Sequence, residues 1–151
     1  MRGTQPIVPA LEHATHAVAR WIDRVFGDTF NDPRLTEAEV NVLAYLVRHA
    51  PCSINDLHRS FGHKRSTLTS LVDRLEGRGW VRRGPHPTSR RLVLLHLTDT
   101  GQPVAEHVRA VLDALEARVS ARTGSSDLAA YRRVLRALEE ELAHDPPPQP
   151  I

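Results

Sequence analysis

A fold that is mainly α with a small β-hairpin is predicted by three features of the sequence. Apolar residues recur in steps of three and four through most of the chain, capping residues precede several of those stretches, and the period shortens to that of strands between Trp80 and Leu97. The 151 residues suffice for one domain with a real core but are short for two. Apolar residues make up 40% of the chain and aromatic residues only 5%, so Leu, Val and Ala must build the core, a mixture that suits helices.

The first helix is marked by Leu11, Ala14, Val18, Trp21, Ile22 and Val25 and is expected to end at about Phe26 or Phe30. Thr36 and Glu39 form a capping box for a second helix, Glu37 to about Arg48, with Val40, Leu43, Leu46 and Val47 on one face; Pro51 stops it. Ser53 caps a short third helix containing Ile54, Leu57 and Phe61, and Gly62 supplies the sharp turn after it. A fourth helix, about Arg65 to Arg78, turns Leu68, Leu71, Val72 and Leu75 inward. Gly77 and Gly79 close it.

Trp80 to Arg83 then reads as a strand, Gly84 to Arg90 as a loop, and Leu92 to Leu97 as the returning strand. Thr98 or Thr100 caps a long fifth helix reaching about Arg122, with Pro103 in its first turn. Gly124 to Ser126 make a turn. A sixth helix from about Asp127 carries Leu128, Tyr131, Leu135, Leu138 and Leu142, the alternating spacing of a packing seam. The ends, Met1 to Pro6 and the Pro-rich stretch 145–151, carry no periodic pattern and are expected to be disordered. No internal repeat is visible.

Charge is distributed unevenly. From His58 to Arg91 nine Lys or Arg stand against Asp73 and Glu76, a local balance of +7, whereas the whole chain carries only +2 and the remainder therefore about −5. One basic module on an acidic frame is the pattern of a protein that meets phosphate with one face. A single cysteine, Cys52, excludes an internal disulfide and cannot by itself frame a zinc site, which points to a reducing cytoplasm. No apolar run is long enough for a membrane span, and Met1 to Pro9 lacks the core of a signal peptide. Nucleophile triads, Gly-rich phosphate loops and paired catalytic carboxylates are missing, so neither an enzyme nor a bound cofactor is expected.

Three helices, a tight turn before the third and a basic hairpin directly after it together predict a winged helix-turn-helix, and the apolar seams Leu11, Val18, Ile22, Val25 and Leu128, Tyr131, Leu135, Leu138 predict N- and C-terminal dimerisation helices around it. The expected segments are 7–35 for N-terminal dimerisation, 36–98 for the winged helix-turn-helix, 99–144 for C-terminal dimerisation and 145–151 for the tail. A recognition helix must fit the major groove with small, polar or basic residues facing out, and here these are Lys64, Arg65, Ser66, Thr69, Ser70 and Arg74. A wing reaching a minor groove needs arginine at its tip, where Arg90 and Arg91 stand. Lys64 occupies the helix N-cap, where a cation opposes the helix dipole and an approaching phosphate would relieve the conflict.

The stretches RSTLTSLVDRLEGRGWVRR (Arg65 to Arg83) and PTSRRLVLLHLTDTG (Pro87 to Gly101) resemble the MarR family of bacterial transcription regulators. The resemblance extends from the first helix to the sixth and is strongest over residues 53–101. It implies a homodimer whose terminal helices interlock, a pseudo-palindromic double-stranded DNA operator, and a wing arginine in the minor groove, matched here by Arg91 with Arg90 beside it. Family members commonly place acidic residues before that arginine, but this chain has His86 and Ser89 there, so an ionic brace for Arg91 is missing. The resemblance also implies release from DNA by a small-molecule effector bound between the dimer helices and the winged helix, where His16, Trp21 and Tyr45 would line the crevice.

Several of these residues suit other roles. Trp21 suits core or dimer packing better than a pocket wall, and His13 and His16, three apart on one face, suit a solvated surface better than a metal site. Cys52 lies in the turn before the third helix rather than in the first helix, where peroxide-sensing relatives keep their reactive cysteine. The rival to a DNA-binding regulator is a winged-helix module that contacts only protein.

Overall fold

The computed structural model describes residues 6–27 and 35–144. Its elements are α1 (Ile7–Phe26), α2 (Glu37–His49), β1 (Cys52–Ser53), α3 (Ile54–Phe61), α4 (Arg65–Gly77), β2 (Val81–Pro85), β3 (Val93–Leu97), α5 (Gly101–Thr123) and α6 (Ser125–His144). The expected continuation of the first helix to Phe30 and the Pro-rich tail lie outside the described residues. No described helix is long and apolar enough to cross a membrane. The chain divides into two compact units, Met1–Arg109 and Ala110–Ile151, so the boundary falls inside α5.

Local signals decide where the helices begin and end. Thr36 and Glu39 close a full capping box on α2, with the Thr36 amide donating to Glu39 Oε2 at 2.8 Å and the Glu39 amide to Thr36 Oγ1 at 3.3 Å. Helix α2 stops because Ala50 precedes Pro51 and is forced to ψ 140°, out of the helical region. A second capping box, Ser53 with Asp56, starts α3. That helix ends at Gly62, whose φ of 66° is left-handed and would strain any residue with a Cβ. His58 Nδ1 then donates to the His63 carbonyl at 2.7 Å, tying off the turn between α3 and α4.

The core of the first unit is aliphatic, as the composition requires. Ile22 and Phe26 of α1 are buried with Val40, Leu43 and Leu46 of α2, Leu57 of α3, Leu68, Leu71, Val72 and Leu75 of α4, Val81 and Leu95 of the sheet, and Ala105 and Val108 of α5. Each buried Leu contributes roughly 2 kcal/mol by leaving water. Truncating one of them to Ala would cost roughly 2–5 kcal/mol once the residual cavity is counted.

The sheet departs from the expected two-stranded hairpin. It has three antiparallel strands in the order β1-β3-β2, because Cys52 and Ser53 pair with Leu95 and Leu94 on the far edge of β3. Ser53 thus serves as strand residue and helix cap at once. The hairpin strands also begin one residue later than expected, pairing from Val81 with Leu97 to Pro85 with Val93.

At the start of α5 both threonines act. Thr98 Oγ1 accepts from the Gly101 amide at 2.9 Å, while Thr100 Oγ1 donates to the Gly79 carbonyl at 2.8 Å. Pro103 is tolerated because a first-turn residue has no helical acceptor to lose. Gly101 is required by proximity: a Cβ there would lie 1.9 Å from the Trp80 carbonyl oxygen. In the second unit the end of α5 meets α6, which begins at Ser125 rather than Asp127, through Gly124 at φ 87°. Arg132 donates to Glu116 across the two helices at 3.3 Å. None of the described α6 residues is buried, and Tyr131 and Leu142 of its seam are exposed.

Candidate nucleic-acid interface

Helix α4 has two faces of opposite character. Leu68, Leu71, Val72 and Leu75 are buried, while Lys64, Arg65, Ser66, Thr69, Ser70 and Arg74 are exposed, as is Thr67, which the sequence pattern did not single out. Lys64 is the N-cap and makes no capping bond, so an exposed cation stands at the positive end of the helix dipole. Thr69 and Ser70 hydroxyls donate to the carbonyls of Arg65 and Ser66 at 2.9 and 3.1 Å. With their protons engaged in the helix, these hydroxyls can meet a ligand as acceptors, suited to amino groups on base edges.

The wing is the β2-β3 hairpin and its tip. His86 donates its amide to the Leu92 carbonyl at 3.2 Å, which pinches the loop and leaves Arg90 and Arg91 exposed at its end. An open cavity of about 430 Å³ lies between α3, the start of α4 and this loop; Asp56, Arg59, Arg65, His86 and Leu92 are among its walls. The first residue of α4 and the wing therefore border one hollow.

Two ion-pair networks fix these elements, and neither was evident from the sequence. Arg83 of β2 reaches back to α4: its amide donates to Glu76 Oε1 at 3.1 Å, and its guanidinium bonds Asp73 Oδ1 at 2.7 Å and Glu76 Oε2. The wing lacks acidic residues before Arg91, but its base is braced here instead. The second network starts from Glu39, only 1% exposed, whose Oε1 accepts from Arg74 Nε at 3.0 Å; Arg78, stacked 5.1 Å over the Trp80 ring, lies 3.9 Å from the same oxygen. Burial would raise the Glu39 carboxyl pKa, but bonds from the Thr36 backbone and hydroxyl and from Arg74, with the charge of Arg78, outweigh it and hold the group below its usual range.

The residues assigned to an effector crevice have different surroundings. Tyr45 stacks on His49 at 4.2 Å between ring centroids and meets Phe61 edge-on at 5.5 Å, linking α2 to α3. His16 is exposed and Trp21 half-buried on α1, and His13 is exposed one turn before His16. Cys52 is buried, and that burial, followed by the charge of Asp56, pushes its thiol up to about 11.

A short helix, a left-handed turn, a second helix exposed along one polar side and a braced basic hairpin together define a winged helix-turn-helix protein. The MarR family model matches residues 35–92. The multiple antibiotic resistance protein MarR of Escherichia coli is 31% identical over 100 residues, covering 66% of this chain and 69% of that one. The chain belongs to the MarR family. It is also 39% identical over 106 residues to the HTH-type transcriptional regulator PecS of Dickeya dadantii, covering 65% of this chain and 64% of PecS, somewhat less than two thirds of that relative's length. Among solved structures, an S. aureus MepR-DNA complex matches with a TM-score of 0.77 at 16% identity, over 92% of this chain and 99% of that one, a likeness in fold.

Proposed function

We propose that this protein is a sequence-specific DNA-binding transcription regulator, most economically a repressor, acting as a homodimer in the cytoplasm and not as an enzyme. The observation that carries this reading is that the helix leaves Lys64, Arg65, Ser66, Thr69 and Ser70 exposed and the wing leaves Arg90 and Arg91 exposed, with Arg65 lining one hollow together with His86 and Leu92 of the wing loop. Arg65 reads a base edge, the hydroxyls accept from amino groups, and the wing arginines enter a narrow minor groove. Family membership, and a fold shared with MepR in its complex with DNA, support double-stranded DNA as the partner.

The dimer part rests on terminal apolar residues left exposed in a single chain: Ile7, Val8 and Val18 of α1, and Tyr131, Val134 and Leu142 of α6. A two-fold partner would cover them and set two recognition helices about 34 Å apart on a pseudo-palindromic site. A small-molecule effector releasing the DNA belongs to the same reading, with His16 and Trp21 on α1 as candidate wall residues. Tyr45, already stacked on His49, is the weaker member of that set.

Selection of bound duplexes from a random pool, followed by affinity measurements across salt, tests the proposal. A recovered palindrome, with the salt slope lowered by roughly 2 to 4 per dimer in Arg90→Ala with Arg91→Ala as one or both wing contacts per subunit are lost, supports it. No enrichment, or a double variant with unchanged affinity and slope, would leave the protein-contact module as the better reading.

A further inference from the structure

Glu39 lies on α2, away from the row of residues assigned to DNA, yet it is tied to that row. Its Oε2 accepts from the Thr36 amide at 2.8 Å and from Thr36 Oγ1 at 2.9 Å, which fixes the carboxylate plane against the first turn of α2. The other oxygen, Oε1, is then a stationary acceptor, and Arg74 Nε donates to it at 3.0 Å. Arg74 follows Ser66 and Ser70 in steps of four along α4, and its side chain is 50% exposed against 1% for Glu39. The Nε edge is engaged. The two Nη groups form no hydrogen bond among the described residues, and on a planar guanidinium held by one edge they point in a set direction.

We infer that Glu39 is a positioning residue that holds Arg74 by its Nε edge so that the Nη pair clamps a DNA phosphate. The inference rests on the DNA-binding function proposed above. An arginine that reaches phosphate from free solution must surrender its rotamer freedom on binding; one already held by a buried carboxylate has surrendered it on folding. Glu39 therefore acts on affinity without touching DNA, and the positive charge offered to phosphate remains that of Arg74.

The test is a double-variant cycle on the full-length protein, with Glu39→Gln, Arg74→Ala and both together, on the selected duplex and on a scrambled one. Gln keeps the shape and an acceptor for Thr36, and melting curves run in parallel separate folding from binding. Glu39→Gln should weaken binding about tenfold per dimer on both duplexes and leave the salt slope unchanged, because Arg74 keeps its charge. Arg74→Ala should lower that slope by roughly 2 per dimer, and adding Glu39→Gln to it should change nothing more. Equal losses from Glu39→Gln with and without Arg74, an unchanged affinity, or a gain in affinity would each overturn the inference. If the wild-type protein itself shows no salt-dependent affinity for DNA, the proposed function and this inference fall together, an outcome distinct from binding without coupling.

Discussion

Arg83 in the wing and Asp73 in the recognition helix hold each other at 2.7 Å, and Glu76 grips the same guanidinium one turn further on. Strand β2 is therefore oriented by the helix that it follows. Arg83→Met would leave two carboxylates uncompensated near the surface assigned to DNA and free the wing base. We expect binding about tenfold weaker from lost positioning and added repulsion, with partial recovery when Asp73→Asn and Glu76→Gln are added. Wild-type affinity in Arg83→Met, measured by fluorescence anisotropy, would show that the brace does not position the wing.

Gly101 should be among the least replaceable residues. Its missing side chain lets the start of α5 approach the Trp80 carbonyl, and Gly101→Ala should cost roughly 1–3 kcal/mol or more through overpacking. Gly77, with open space around it, is the control, since Gly77→Ala should be neutral or stabilise by up to about 1 kcal/mol. Urea unfolding of the two variants measures the contrast.

Cys52 should be chemically quiet. With its thiol near 11, only roughly one molecule in ten thousand is thiolate at pH 7. Iodoacetamide should label the native protein far more slowly than the urea-unfolded chain, and peroxide should not release DNA. Rapid native labelling would contradict the burial of this residue.

Asp56 should give stability a defined acid limit. Bonds from the Ser53 amide and hydroxyl, then from Arg59, lower its carboxyl from 3.8 to about 2. A lowered folded pKa stabilises above the unfolded value, and that contribution fades as pH falls from about 4 toward 2. Asp56→Asn should therefore cost about 1 kcal/mol at neutral pH and flatten the stability profile across that acid window. Urea melts at several pH values give the profile directly.

The helices were legible because their signals are local. Thr36 with Glu39, Ser53, Pro51 and Gly62 each act within four residues, and the buried positions of α2 and α4 follow a simple period. What the sequence hid depends on distance along the chain. Glu39 is visible there only as a cap, because its bond to Arg74 spans 35 positions. Arg83 counts as one more basic residue until Asp73 and Glu76 appear around it. Strand β1, two residues long, has no periodicity to detect, and Tyr45 joins His16 and Trp21 by family resemblance rather than by any pattern of its own.

The pairing of Cys52 and Ser53 with β3 also shapes how the domain opens. Because β3 has neighbours on both sides, its root cannot detach without breaking the cap of α3 as well, so the inner wing and the helix-turn-helix belong to one cooperative unit. Amide exchange at Leu95 should then proceed only through global unfolding, while amides between Thr88 and Arg91 exchange by local fluctuation. The base of the hairpin thus keeps step with the helix-turn-helix, and in the DNA-binding reading proposed above any adjustment to a groove would fall to the tip alone.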